Sequence, residues 1–162
     1  MINVDVNGLE LDAQPDHSMS CQRSANDVPF TGNGLWVEVT ALPTGQGQVA
    51  LIATADQYPP AIGAIGGLLE LFISGGDNII TTVPYDPVAM RWWRLRPDAV
   101  HHTTLGEYSA DGIHWTMLAG TDIDPPDLVG PAIAEIADSN DDGIATVRSF
   151  DVCPPGTDTP AL

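Results

Sequence analysis

The sequence contains no lysine, and its five basic residues are all arginine. Asp and Glu together number 22, which gives a formal net charge of -17 at pH 7. Nucleic-acid binding requires a cluster of cations that neutralises phosphates, and an anionic membrane surface attracts basic segments in the same way. The composition therefore excludes nucleic acid and an anionic membrane surface as partners.

Long apolar segments are also missing. The longest apolar run, residues 61–73, is interrupted by three glycines and by Glu70, so we expect no membrane insertion. The first residues, MINVDVNGLELD, lack the basic region followed by an apolar region that is typical of a signal peptide. The length of 162 residues suits one domain, predicted at 1–153, followed by a tail or the start of a linker at 154–162.

Cysteine is scarce, and neither Cys21 nor Cys153 has a second cysteine at the short spacing of a metal site. A β-sandwich usually brings its first and last strands side by side, which favours a Cys21–Cys153 disulfide. A disulfide implies an oxidising compartment, so the predicted location is extracellular or at the cell surface. The alternative is a pair of buried free thiols.

Helical periodicity is absent, whereas alternation with a period of two dominates and predicts an all-β chain. The predicted strands are 2–6, 19–23, 35–42, 48–55, 68–74, 78–83, 89–96, 103–109, 114–118, 128–136 and 144–152. Many short strands at this spacing are typical of a sandwich or a barrel. The segment YPPAIGAIG, just before the strand at 68–74, is interpreted as a loop that covers one face of that strand.

The stretch MRWWRLR, residues 90–96, holds three of the five arginines. Strand alternation sends Trp93 and Leu95 into the core and puts Trp92, Arg94 and Arg96 on the opposite face. An indole beside guanidinium groups can bind a sugar ring and its hydroxyls or carboxylates. Alternatively, the arginines pair with acids on neighbouring strands and stack on the tryptophans, which stabilises the sheet. The predicted ligand-binding residues are Trp92, Arg94, Arg96, Tyr85, His101 and His102.

A hairpin is predicted around Asp111 and Gly112, which supply the positive backbone angles of a tight turn. Trp115 is expected to return on the second strand and to pack near Tyr108. The residues of this hairpin are interpreted as structural, with contact between Asp111 and a ligand or ion as the alternative.

Residues 86–152 resemble the concanavalin-A-like lectin/glucanase superfamily, and in particular its bacterial LamG-like domains. The resemblance is carried by a W-x-R strand, a Y-S-x-D-G-x-x-W hairpin, a V-G strand and a last strand ending in F-D. The matching residues are Trp93, Arg94 and Arg96; Tyr108, Ser109, Asp111, Gly112 and Trp115; Val129 and Gly130; and Phe150 and Asp151. The resemblance implies a two-sheet antiparallel jelly-roll sandwich. The family's curved sheet often presents a concave surface, which we expect on the Trp92 side.

Patterns for catalysis are missing. A glucanase of this superfamily carries alternating acids on one strand, as in E-x-D-x-x-E, but Glu107, Glu135 and Asp138 have the wrong spacing. The sequence lacks a G-x-S-x-G motif and a phosphate-binding glycine loop. We therefore expect no enzymatic activity.

One acidic turn, DSNDDG at 138–143, matches the first half of a calcium-binding loop. Asp138, Asn140 and Asp142 would supply the oxygen ligands, although Ser149 stands where an EF-hand has Glu. Ca2+ is the candidate ion, and a plain polar hairpin is the alternative.

The sequence thus predicts a non-catalytic, carbohydrate-binding accessory module of a secreted or surface bacterial protein. Its partner would be a glycan or a cell-surface polysaccharide. The alternative is a structural or protein-interaction domain of a surface assembly, a filament or a phage particle. Such a domain would associate with copies of itself or with other surface proteins. A divergent glycoside hydrolase is a third hypothesis.

Overall fold

The structure is a computed structural model that describes residues 2–5, 8–13, 20–23, 28–29, 34–42, 47–54, 59–73, 78–121, 131–139 and 143–152. Every regular element within these ranges is a β-strand. The described part of the chain also contains no helix long and apolar enough to span a membrane.

Fourteen strands are described. They are β1 (Ile2–Asp5), β2 (Gly8–Ala13), β3 (Ser20–Arg23), β4 (Val28–Pro29), β5 (Leu35–Ala41), β6 (Gln48–Thr54), β7 (Pro60–Ile65), β8 (Leu68–Ile73), β9 (Asn78–Pro84), β10 (Trp92–Asp98), β11 (Thr103–Ser109), β12 (Thr116–Thr121), β13 (Pro131–Ser139) and β14 (Gly143–Val152).

The strands form two antiparallel sheets. The first sheet has the order β1-β2-β14-β5-β10-β11-β12, and the second has the order β3-β13-β6-β7-β8-β9, with β4 also paired to β13. The predicted fold class, an all-β jelly-roll sandwich of two antiparallel sheets, is confirmed.

The core lies between the two sheets and is built from alternate residues of the central strands. The first sheet contributes Leu35 and Val37 from β5 and Trp93 and Leu95 from β10, all fully buried. The second sheet contributes a matching layer that consists of Val49, Leu51, Ile62, Leu69 and Leu71. The inward direction predicted for Trp93 and Leu95 is therefore correct, and their neighbours on β10 must point away from the core.

Most of the segment YPPAIGAIG forms a strand, not the covering loop that the sequence predicted. Residues Pro60–Ile65 form β7, a central strand that pairs with β6 on one side and β8 on the other. Both faces of β7 are buried, because Ala61 and Ile62 are each 0% exposed. A strand buried on both faces shows no alternation of polar and apolar residues, so periodicity did not reveal it.

The start of β10 also differs from the prediction, which began the strand at residue 89. The side chain of Asp86 accepts hydrogen bonds from the backbone N–H groups of Val88 at 2.8 Å and Ala89 at 3.1 Å. The backbone N–H of Met90 donates to the carbonyl oxygen of Asp86 at 2.8 Å. These bonds close a turn, so the strand begins at Trp92.

The strands β13 and β14 do not pair with each other in the part of the chain that the structure describes. β13 pairs with β6 and β3, whereas β14 pairs with β2 and β5. β13 and β14 are therefore consecutive strands of different sheets. The polar hairpin that was the alternative to a Ca2+ loop assumed two paired strands, because the sequence does not show that both edges of each strand are already occupied.

Glu70 on β8 gives a pH-dependent prediction. Glu70 is 6% exposed, and burial raises the pKa of its carboxyl group above the ordinary value of 4.5. Stability from this group is present below pH 4.5 and is lost as the pH rises through the folded-state pKa, where a buried charge forms. We expect Glu70→Gln to raise the Tm at pH 7 and to leave it nearly unchanged at pH 3.5, as measured by thermal melts. A variant that melts at or below the wild-type temperature at pH 7 would show that Glu70 is not destabilising.

Candidate functional site

The face of the first sheet that points away from the core, here called the outer face, carries an aromatic and charged cluster. Pairing between β5 and β10 places Trp92 opposite Glu38 and Arg94 opposite Trp36. Pairing between β10 and β11 places Arg94 opposite Glu107. Since directly opposed residues share a face, these five side chains lie together across three adjacent strands.

Glu107 binds two arginines from the neighbouring strand. Arg94 Nε donates to Glu107 Oε2 at 2.7 Å, and Arg96 donates from Nε to Oε2 at 3.3 Å and from Nη2 to Oε1 at 3.2 Å. Glu107 and Arg94 are 6% and 5% exposed. Each buried charge therefore depends on the other for compensation.

Two tryptophans from other segments pack against β10: Trp115 contacts Arg94, and Trp36 contacts Trp92. The guanidinium carbon of Arg94 lies 4.2 Å from the ring centroid of Trp115, which is a cation–π geometry. The rings of Trp36 and Trp92 are tilted by 45°, with centroids 5.4 Å apart. Trp36 is buried, and its indole Nε1 has no hydrogen-bond partner among the residues that the structure describes. Trp36 therefore serves as an aromatic support behind Trp92.

A third ion pair lies at the beginning of β10, where Arg91 Nη2 contacts Glu38 Oε1. Arg91, Arg94 and Arg96 thus all bind carboxylates on neighbouring strands. This is the arrangement of the alternative interpretation, in which the arginines pair across strands and stack on tryptophans. It also fixes the guanidinium groups in place, which a binding surface requires.

Part of the cluster stays accessible. Trp92 and Trp115 are partly exposed, and the side chain of Arg96 is 30% exposed. Met117, opposite Glu107 on β12, is 61% exposed. The accessible surface therefore combines indole rings, a thioether and guanidinium donors, which can contact the apolar face of a sugar and its hydroxyl groups.

The connection from β11 to β12 is longer than the tight turn predicted. It spans residues 110–115, and only Gly112 has a positive φ, of 74°. Trp115 precedes β12 and lies under Arg94, whereas it was predicted on the strand. The longer loop lets Trp115 reach the outer face.

Asp111 organises this loop. Its Oδ1 accepts hydrogen bonds from the backbone N–H groups of Ile113 and His114, both at 2.8 Å, and its Oδ2 lies 2.7 Å from His114 Nδ1. The His114 side chain and then these backbone donors hold the pKa of Asp111 well below its usual range. These bonds give Asp111 the structural role that the sequence indicated.

Tyr85 does not lie beside Trp92. Its ring meets Trp93 edge-on, with centroids 6.0 Å apart, so it packs on the core side of the first sheet. Burial and the nearby Asp86 raise the pKa of Tyr85 to about 12. The structure therefore separates Tyr85 from the other predicted ligand-binding residues.

His101 and His102 lie in the turn after β10, whereas Trp92 begins that strand, six residues before its last residue, Asp98. At about 3.3 Å per strand residue, that strand alone spans roughly 20 Å. His101 Nδ1 lies 2.7 Å from Asp98 Oδ2. Both histidines are exposed at the Arg96 end of the outer face, away from Trp92.

The predicted calcium and disulfide sites fall largely outside the described residues. Asp138 and Cys21 have described backbone positions in β13 and β3, and their side chains are outside the description. Asn140, Asp142 and Cys153 are also outside it. The Ca2+ site and the Cys21–Cys153 bridge therefore remain predictions.

Several cluster residues were not identified from the sequence as part of the site. Trp36 and Glu38 come from β5, more than 50 residues before β10, and only the strand order brings them together. Glu107 was considered as an isolated acid because its arginine partners are 11 and 13 residues away. Its position opposite Arg94 could have been found by aligning the β10–β11 hairpin.

The chain was compared with known protein families, curated proteins and solved structures. No protein-family model matches the chain, and no curated protein matches it. A carbohydrate binding module, CBM66 from Bacillus subtilis, superimposes with a TM-score of 0.57 at 11% identity, covering 93% of this chain and 89% of that one. The Caenorhabditis elegans galectin LEC-6 matches with a TM-score of 0.36 at 14% identity, covering 91% of this chain and all of that one. The match with the carbohydrate binding module supports the jelly-roll fold.

Proposed function

We propose that this protein is a non-catalytic carbohydrate-binding module that holds a glycan against the outer face of the first sheet. The observation that carries the proposal is the partly exposed Trp92, supported from behind by Trp36 and flanked by fixed guanidinium groups. An immobilised aromatic surface loses little conformational entropy when a sugar stacks on it. The shared fold with a protein described as a carbohydrate binding module supports the same role.

The carboxylates of the outer face favour binding over hydrolysis. Glu38 and Glu107 each contact an arginine. A glycosidase needs two carboxyl groups that face the substrate, whereas Glu38 and Glu107 are both buried and engaged by arginines. The proposed module therefore positions a glycan and leaves its bonds intact.

We further propose that the domain is LamG-like and belongs to a secreted or surface bacterial protein. The W-x-R and Y-S-x-D-G motifs occupy the paired strands β10 and β11 and the loop that follows, which supports this relationship. An extracellular location would agree with the predicted Cys21–Cys153 disulfide and with the Ca2+ site proposed at Asp138, Asn140 and Asp142.

Trp92→Ala tests the proposed binding surface. We expect the variant to lose about 2 kcal/mol of binding free energy, or roughly thirtyfold in Kd, because it removes the stacking ring. The measurement is isothermal titration with a glycan first identified on a glycan array. Trp92→Phe should keep most of the affinity, since it retains an aromatic ring over Trp36.

Ile80→Ala on the second sheet is the matched control and should bind like the wild type. Near-ultraviolet circular dichroism would confirm that each variant keeps its folded core around Trp93. A folded Trp92→Ala protein with unchanged affinity would exclude Trp92 as the binding surface.

A further inference from the structure

The guanidinium groups of the outer face are already bound by carboxylates of the protein itself. Arg96 donates from Nε and Nη2 to the two carboxylate oxygens of Glu107, at 3.3 Å and 3.2 Å, and Arg91 Nη2 contacts Glu38. Nε and Nη2 form the fork with which an arginine holds the carboxylate of a ligand. The fork of Arg96 is therefore occupied before a ligand arrives.

These internal carboxylates cannot give way to a carboxylate of a ligand. Glu38 and Glu107 are 5% and 6% exposed, so both are enclosed by the cluster. If Glu107 moved out, Arg94, which is 5% exposed, would lose the carboxylate bonded to its Nε at 2.7 Å. An anionic sugar would thus add a negative charge to the cluster and would not replace one.

The described part of the outer face carries as many carboxylates as guanidinium groups. Asp98 ends β10 two residues after Arg96, so strand alternation places it on the same face. Together with Glu38 and Glu107 it balances the three arginines of residues 91–96. The chain as a whole has a formal net charge of -17 with histidine counted as neutral, so its more distant charges repel an anion.

The accessible groups beside these ion pairs are mostly apolar. Met117 is 61% exposed opposite Glu107, and Trp92 and Trp115 are partly exposed. Indole rings contact the C–H face of a sugar without any need for charge on the ligand. The accessible surface therefore suits a ring that carries hydroxyl groups only.

We propose that the glycan bound by the outer face is uncharged, and that glycans carrying uronic acid, sialic acid or sulfate groups are rejected. This inference rests on the proposed function and adds the chemical class of the glycan. Rejection by like charge is a common source of specificity, because the wrong ligand meets repulsion where the right one meets none. Salt screens this repulsion, so the discrimination should weaken as ionic strength rises.

The test compares three forms of one oligosaccharide that binds on a glycan array. The forms are the parent, the same chain with its primary hydroxyl groups oxidised to carboxylates, and the methyl ester of that acid. By isothermal titration in salt of about 0.02 M, we expect the acid to bind at least about tenfold more weakly than its ester. The gap should narrow in salt of about 0.5 M. The ester isolates charge, because it lacks the same hydroxyl groups as the acid.

A lysine at the outer face provides a second readout. Met117→Lys adds a cation beside Glu107 that has no carboxylate assigned to it, so the acid should regain at least about fivefold in affinity. Ile79→Lys makes the same charge change on the second sheet, at a residue that is 55% exposed, and should leave the gap between acid and ester in place. Equal gains in both variants would contradict discrimination by the outer face.

Two further outcomes separate this inference from the proposed function. An acid that binds the wild type as tightly as its ester in low salt, or an array on which only acidic glycans bind, would overturn the inference and leave glycan binding intact. A folded protein that binds no glycan at all would contradict the proposed function, and the inference with it.

Discussion

Replacing Glu107 with methionine is expected to lower the free energy of unfolding by about 3 to 5 kcal/mol, because it leaves Arg94 buried without a carboxylate. Arg94 is 5% exposed, and its Nε donates to Glu107 Oε2 at 2.7 Å. Contact with the Trp115 ring cannot replace this bond, since cation–π interactions contribute about 0.5 to 2 kcal/mol. Urea unfolding at pH 7, followed by tryptophan fluorescence, measures the loss.

The double variant Glu107→Met with Arg94→Met is the control for this result. It removes both buried charges and replaces them with side chains that fill similar space, so we expect stability to return close to that of the wild type. Such a recovery would demonstrate coupling between the two residues. Additive losses in the double variant, or a loss below about 1 kcal/mol in the single variant, would contradict the assigned dependence of Arg94 on Glu107.

Replacing Gly34 with alanine is expected to cost roughly 4 kcal/mol or more, or to prevent folding. Gly34 precedes β5 and has a φ of 76°, and an added Cβ would lie 1.8 Å from the carbonyl oxygen of Leu95. That contact can be relieved only by separating β5 from β10. The same separation would disturb the pairing of Trp36 with Arg94, so glycan binding should fall together with stability.

Gly67→Ala separates the two causes of this loss. Gly67 has a φ of 83° in the turn between β7 and β8, and an added Cβ would have no atom within 4 Å. Only the cost of a left-handed backbone remains, about 1 to 2 kcal/mol. Chemical denaturation of both variants should therefore show a clearly larger loss for Gly34→Ala. Equal losses would mean that close approach to Leu95 does not matter.

Local alternation predicted the part of the site that lies on a single strand. In MRWWRLR, the buried Trp93 and Leu95 and the outward Trp92 and Arg94 follow directly from a period of two. β11 likewise has the predicted bounds, Thr103–Ser109. These features depend on neighbours in the chain, so periodicity and turn residues are sufficient.

The remaining features depend on contacts between distant segments. Trp36 supports Trp92 only because β5 lies next to β10 in the first sheet, a consequence of strand order that residue spacing does not show. β7 was missed because both of its faces are covered. Tyr85 was predicted to bind ligand together with Trp92, and the turn at 86–90 sends it to the core side instead.

The few arginines are concentrated where buried carboxylates need an opposite charge. Three of the five are concentrated at residues 91–96, and each contacts a carboxylate that would otherwise be poorly compensated on a packed sheet face. The same contacts hold the guanidinium groups still beside Trp92. Structural compensation and ligand binding are therefore compatible functions of one cluster.

The most direct test of the proposed function uses the four tryptophan indoles as separate probes in a two-dimensional proton–nitrogen NMR titration with glycans that bind on an array. Trp93 is 0% exposed, and its Nε1 donates to the Met90 carbonyl oxygen at 2.8 Å, so it serves as an internal control. We expect the Trp92 indole signal to shift in a saturable way while the Trp93 signal stays in place. A folded protein that binds no glycan on the array, or that binds one without any shift at Trp92, would contradict glycan binding at the outer face.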